Sequence, residues 1–301
     1  MVSSTLQART TGLIRLSRWK EHVPSTVPAT LLGVNMALGL RGAPARPDWH
    51  IAVIVAANVL AVTSAFMVND IEDAPDDARD PARGALNAVT SAAITPRDGW
   101  RASAIVGALA LALFAWAGGA ALTVGATTIG LGFLYSWRGV RLKAIPVVDL
   151  LAHLLMLSVL LFLAGYFTYD RSPGRIWLVA VSVGLLSAYG QLYNQLRDFD
   201  MDRAAGLRNT ASLLGRQRTQ RLMAVCLGGA VASLAATVLL GLWPLWLLPV
   251  SLALLPLMVV FRSRTDLRGT PIIDVSGRAQ FSALVFANVI ILLWLFENVI
   301  H

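Results

Sequence analysis

Charge is scarce in this chain. Only 14% of its 301 residues are charged and 56% are hydrophobic, with a mean hydropathy of +0.64. Soluble domains carry roughly 25% charged residues, so the composition excludes an ordinary water-soluble globule. Cysteine is scarcer still. Cys226 stands alone, which excludes an intramolecular disulfide and any cysteine cluster for a metal; in an apolar stretch it reads as a packing residue. Of the four histidines, His22, His50 and His301 read as interfacial or tail residues. No phosphate-cradling glycine loop, Ser–His–Asp set or zinc signature is present. The opening stretch "MVSSTLQARTTGLIRLSRWKEH" is polar and basic and lacks an apolar core, so no cleavable signal peptide is expected.

What the chain has in abundance is long apolar runs. A transmembrane helix needs roughly 20 largely apolar residues. Nine runs meet that, near 23–41, 51–69, 102–119, 120–136, 147–168, 176–196, 220–241, 244–261 and 279–297. Pro24 and Pro28 suit the entry of the first helix rather than its middle. The third and fourth runs touch at "AGGAALTVG", which keeps a count of eight open. The expectation is an all-α, polytopic membrane protein of about nine helices, one domain over residues 1–301.

The net charge of +8 has a topological reading, because Lys and Arg collect in cytoplasmic loops. With nine spans and the N-terminus inside, only Arg41, Arg46, Arg171 and Arg175 fall outside; the other 21 of the 25 Lys and Arg fall inside. This asymmetry predicts a cytoplasmic N-terminus, in a membrane of the bacterial cytoplasmic type. Nothing in it calls for a nucleic acid or a protein partner.

Two acidic blocks follow uncharged runs on that same side. "VNDIEDAPDDARD" contains Asn69, Asp73 and Asp77, and "YNQLRDFDMDRAAGLRNTASLLG" contains Asn194, Asp198 and Asp202. Both read N-x-x-x-D-x-x-x-D, and residues four apart share a helix face. Asp70 adds a carboxylate to the first row. Glu72, Asp76, Asp80 and Asp200 fall off the rows, as solvated or supporting groups. Clustered carboxylates at a membrane edge are costly and mark function. All-oxygen ligands suit a hard cation, and Mg²⁺ takes one or two carboxylates with water and phosphate oxygens completing its shell. Two facing rows would hold Mg²⁺ ions around one diphosphate.

These motifs resemble those of the UbiA-type intramembrane prenyltransferases. "NDIEDAPDD" is similar to the family's first motif, NDxxDxxxD, and "DFDMD" to its second, DxxxD. "LNAVTSAAIT", "LYSWRGVRLKAIP" and "GLRNTASLLG" resemble the segments around them. Two features depart from the pattern. Pro75 lies inside the first motif and predicts a kink or an end near Ala74, leaving open whether Asp76 or Asp77 completes the row. "AAI" at 92–94 lacks an expected glycine.

The resemblance implies a helical bundle around a central apolar cavity, with Mg²⁺ as cofactor and transfer of a prenyl group from an allylic polyprenyl diphosphate to a lipophilic acceptor. Asn69, Asp70, Asp73 and Asp77 would hold one metal group, and Asn194, Asp198 and Asp202 the other. Asp70, Asp73, Asp198 and Asp202 would be catalytic. Arg138, Arg141 and Lys143, with Tyr135 beside them, would meet the diphosphate together with Asn69 and Asn194; Arg203 and Arg208 are weaker candidates. Phe66, Tyr189, Tyr193 and Trp137 lie near the motifs as aromatic residues able to face a cation. Asp149 is expected to pair with Arg141 or Lys143, and His153 is an intramembrane ionisable residue, a functional candidate by default. A terpene cyclase using the same ionised diphosphate without an acceptor is the alternative. A cation transporter is disfavoured, because the acids sit at one side only.

Overall fold

A computed structural model describes residues 2–41, 49–261, 263–267, 269, 271–272 and 275–300. Arg46, Arg262 and Arg268, counted in the charge asymmetry, and His301 lie outside the described residues. The elements are α1 (Val2–Ser17), α2 (Trp19–Arg41), α3 (Trp49–Asp77), α4 (Pro81–Leu86), α5 (Pro96–Ala117), α6 (Gly119–Ser136), α7 (Val148–Leu154), α8 (Leu160–Phe167), α9 (Trp177–Arg197), α10 (Phe199–Ala204), α11 (Thr210–Leu214), α12 (Arg216–Leu239), α13 (Leu247–Leu254), α14 (Leu257–Val260) and α15 (Val275–Ile300). A π-helical segment, Leu155–Val159, joins α7 to α8.

Among the described residues, seven helices or helical runs are long and apolar enough to cross a membrane. They cover seven of the nine predicted runs. The other two are also helical but fall outside that set. One is α2; the other, the eighth run, is divided into α13 and α14 at Pro256, leaving neither long enough alone. The third and fourth runs are separate helices. Gly118 turns the chain between them at φ 130°, a conformation that favours glycine.

Pro24 and Pro28 lie inside α2, not at its entry. Pro28 has no N–H for the carbonyl of Pro24, four residues back. Asn288 of α15 supplies the donor instead, at 2.9 Å. The N-terminal stretch read as a polar tail is helical, and Arg18 breaks it from α2 at φ 47°.

Small residues bring the helices together, as close packing in lipid demands. A Cβ on Gly33 of α2 would overlap the Phe162 carbonyl of α8, and one on Gly165 of α8 would overlap the Thr30 carbonyl of α2. Asn58 of α3 donates to Thr30 Oγ1 at 2.8 Å and to Leu161 O at 3.1 Å, tying α2, α3 and α8. Phe162, Tyr166 and Trp294 fill the core between α2, α8, α9 and α15. Cys226 packs with Leu192 and Met223 where α12 meets α9, as its surroundings suggest. At one end of the bundle His50, Gly118 and Tyr169 line a common cleft. The helices therefore run up and down, and α3 and α9 both bring their C-termini to the opposite end.

Candidate active site

Residues 68–77 of the first acidic block form the end of α3, and Asp80 lies beyond it. The helix does not stop near Ala74 but continues to Asp77. Pro75 removes one donor, and the ladder resumes with Ala78 N–H to Ala74 O at 3.0 Å. The following segment supports this end: Thr90 Oγ1 donates to Ala74 O at 3.0 Å and Asn87 Nδ2 to Asp70 O at 2.8 Å.

The block divides between two faces. On one, Asn69 Nδ2 donates to Asp73 Oδ2 at 2.9 Å and to Ser136 Oγ at 3.2 Å. Lys143 Nζ reaches both oxygens of Asp73 at 2.5 Å. Arg141 lies between Asp73 (3.5 Å) and Asp76 (2.6 Å), and Arg138 joins Asp76 at 2.9 Å. On the other face, the buried Asp70 pairs with Arg18 at 3.0 Å and accepts from Ala88 N–H at 3.3 Å. Asp77 accepts from Asn87 Nδ2 at 2.9 Å. Asp70 and Asp77 are thus turned away from the basic loop that Asp73 meets. Glu72 and Asp76, expected off the row, are held by that loop. The Arg138 backbone N–H donates to Glu72 Oε2 at 3.1 Å, and Arg138 Nε to the Glu72 carbonyl at 2.9 Å.

The loop owes its aim to a tight turn after α6. Arg141 N–H returns to Trp137 O at 2.7 Å, and Arg141 itself sits in the left-handed region at φ 51°. That turn directs Arg138, Arg141 and Lys143 back onto α3.

The second block straddles the break between α9 and α10, with Asp198 at the junction. Arg197 holds both oxygens of Asp198 at 3.2 Å. Asp202 accepts from Asn209 Nδ2 at 2.9 Å. Asn209 also caps α11, exchanging bonds with Ser212 in a capping box. Burial and the nearby Asp198 carboxylate push the Asp202 acid up to about 6. Asn194 is exposed beside them, and Asp200 is paired at the surface with Arg216 at 2.7 Å. Arg203 and Arg208 are also exposed.

One side chain bridges the two carboxylates of the second block. Arg83 Nη2 lies 3.6 Å from Asp198 Oδ2 and 3.7 Å from Asp202 Oδ1. It projects from α4, which Asp80 caps by accepting from the Ala82 N–H at 2.8 Å, with Pro81 in the first turn. Asp80, expected to be solvated or supporting, is the cap that orients Arg83. Arg18 and Arg83 stand outside every quoted motif, while Asn87 and Asn209 lie in segments that resemble the family's but carry no assigned role there. Arg83 has one local signal, since Asp-Pro is a helix-start pair.

Asp149 does not pair with Arg141 or Lys143. It is fully buried and accepts from Gln195 Nε2 at 2.6 Å, from Thr210 N–H at 2.8 Å and from the Thr210 hydroxyl. Three neutral donors satisfy the carboxylate without a cation, and they tie α7 and α9 to the loop carrying Asn209. One turn deeper, Tyr135 OH accepts from Gln191 at 3.0 Å, and His153 Nδ1 lies 3.4 Å from Ser187 Oγ. Among the aromatics, Phe66 lies under the Arg18 guanidinium at 5.0 Å, Tyr193 is buried, and Trp137 is exposed against Phe133.

Among the described residues no group of three or more Asp, Glu, His or Cys forms a closed metal cage. The carboxylates instead come in twos, Asp73 with Asp76 and Asp198 with Asp202. Such pairs fit Mg²⁺, which shares its shell with water and phosphate oxygens. Burial first and the neighbouring Asp198 carboxylate second raise the Asp202 acid, and a divalent cation between the two would relieve the repulsive part.

The model of the UbiA prenyltransferase family matches residues 26–271. The chain belongs to this family. No curated protein matches it. Among solved structures, a UbiA homologue from Archaeoglobus fulgidus bound to GPP and Mg²⁺ aligns with TM-score 0.72 and 20% identity over 96% of this chain and all (100%) of that one. A UbiA homologue from Aeropyrum pernix K1 aligns with TM-score 0.70 and 20% identity over 92% and 97%. A digeranylgeranylglyceryl phosphate synthase aligns with TM-score 0.66 and 14% identity over 97% and 99%. This UbiA member also resolves its missing glycine. Ala92 sits at φ 57°, the left-handed conformation that glycine adopts without steric cost.

Proposed function

We propose that this prenyltransferase moves the prenyl group of an allylic polyprenyl diphosphate to a lipophilic acceptor within the membrane, with Mg²⁺ as cofactor. One observation carries the reading: two carboxylate pairs from separate helices lie at one end of the bundle, the first faced by a basic loop and the second bridged by Arg83. The binding of GPP and Mg²⁺ by the A. fulgidus homologue supports it. Asp73, Asp198 and Asp202, with Asn69 and Asn194, hold the metal. Asp70 shapes the site through Arg18 and the Ala88 N–H.

Mg²⁺ on the diphosphate supplies Lewis-acid neutralisation of the departing charge. The rest of the chemistry belongs to the chain. Lys143, Arg141 and Arg138 face the leaving group with cationic donors preorganised by the loop turn. Tyr135 and Gln191 line the wall one turn deeper, where the prenyl chain begins. The apolar helices below keep water from the allylic cation, which suppresses hydrolysis. The prenyl tail and the acceptor approach through lipid. The 21-to-4 division of Lys and Arg supports placing the N-terminus and both acidic motifs on the cytoplasmic side of a bacterial-type membrane, with residues 1–301 acting as one unit.

The test is mass spectrometry of products from a panel of allylic diphosphates, with and without candidate acceptors. The reading expects prenylated acceptor and free diphosphate, both dependent on Mg²⁺. A cyclic product formed from the diphosphate alone assigns a cyclase instead.

A further inference from the structure

We propose that Asp76, not Asp77, is the third member of the first metal-holding row in this chain. The assignment rests on the Mg²⁺-dependent reading above and says which side chains carry it. The family spacing N-x-x-x-D-x-x-x-D points to Asp77, but the helix geometry points elsewhere. At 3.6 residues per turn each residue advances about 100°, so from Asn69 at zero Asp73 lies near 40°, Asp77 near 80° and Asp76 near −20°. Asn69, Asp73 and Asp76 thus span about 60°, whereas Asp77 falls within about 20° of Asp70.

The contacts follow those angles. Arg141 Nη2 lies against both Asp73 (3.5 Å) and Asp76 (2.6 Å), so one guanidinium spans the two carboxylates. Arg138, from the same loop, adds 2.9 Å to Asp76. The loop that supplies both cations on Asp73 therefore also supplies both on Asp76, with Arg141 shared. Asp77 is engaged on the far face by Asn87, whose amide also donates to the Asp70 carbonyl. Asp77 thereby docks the 86–95 segment on α3. The helix stays continuous through Pro75, so the face of each carboxylate follows from its angle.

Mn²⁺ binding to the purified full chain, followed by loss of the free-ion electron paramagnetic resonance signal, tests this without turnover. Asp76→Asn is expected to weaken Mn²⁺ binding at least about tenfold, and Asp76→Glu to restore most of it. Asp77→Asn is expected to keep Mn²⁺ affinity close to wild type while lowering the melting temperature, because it alters the bond from Asn87. Loss of affinity in Asp77→Asn, with Asp76→Asn spared or equally affected, overturns the assignment. If both Asp76 variants lose their fold, intact binding in Asp77→Asn still excludes Asp77 as the ligand and supports the assignment. A wild-type chain that binds no Mn²⁺ overturns the metal-dependent reading itself.

Discussion

Lys143 and Arg83 each hold one of the two acidic blocks, the first on Asp73 and the second on Asp198 and Asp202. On the proposed function each would give up a carboxylate contact to the bound cation and would then be placed to meet the diphosphate. A charge-assisted contact contributes roughly 1.5–3 kcal/mol. Lys143→Ala and Arg83→Ala are therefore expected to raise the KM for geranyl diphosphate about tenfold or more, with a smaller effect on the acceptor. Steady-state kinetics checks this, with exposed Asp200→Asn as a control. Glu72→Gln is a poor control, because Glu72 accepts from the Arg138 N–H. Asp73 and Lys143 were legible in the sequence because charge at a helix end is costly and so informative. Arg83 was not, since its partners lie on another helix more than a hundred residues away. The roles of Asp76 and Asp77 were hidden by the drift of a four-residue step around the helix.

At the scale of elements, the 86–95 segment connects the first block to the rest. Asn87 and Thr90 hold the end of α3, and Ala92 turns the chain in a left-handed conformation. A non-glycine residue there costs about 1–2 kcal/mol. Ala92→Gly is expected to stabilise the protein by about 1 kcal/mol, seen as a higher melting temperature with unchanged Mn²⁺ affinity; a lower one contradicts the reading. Helix positions were legible because apolar runs have one solution in lipid, backbone bonds satisfied within the helix. Prolines were misread for a tertiary reason. Pro28 is tolerated inside α2 because Asn288, distant in sequence, donates to the carbonyl it frees. Pro75 lies in a helix that stays continuous, with Asn87 and Thr90 donating to the neighbouring Asp70 and Ala74 carbonyls.

For the whole molecule, the reciprocal glycine contact between α2 and α8 sets how close these two helices come. Gly33→Leu would drive a side chain into the Phe162 carbonyl, and overpacking of this kind costs about 1–3 kcal/mol or more. Loss of the folded-protein peak in size-exclusion chromatography in detergent checks it. The control is Gly119→Ala, where nothing lies within 4 Å of a new Cβ and the peak is expected to persist. Neither Gly33 nor Gly165 was legible, since a small residue in an apolar run shows no partner until the helices cross. The central claim is that the two carboxylate pairs hold the metal on which ionisation of the diphosphate depends. Its most direct measurement is Mg²⁺-dependent release of diphosphate from geranyl diphosphate by wild type, Asp73→Asn and Asp198→Asn, each confirmed folded by its melting curve. Wild type is expected to release diphosphate only with Mg²⁺, and both variants to fall by about 100-fold or more. Near-normal release by folded Asp73→Asn and Asp198→Asn would contradict the account.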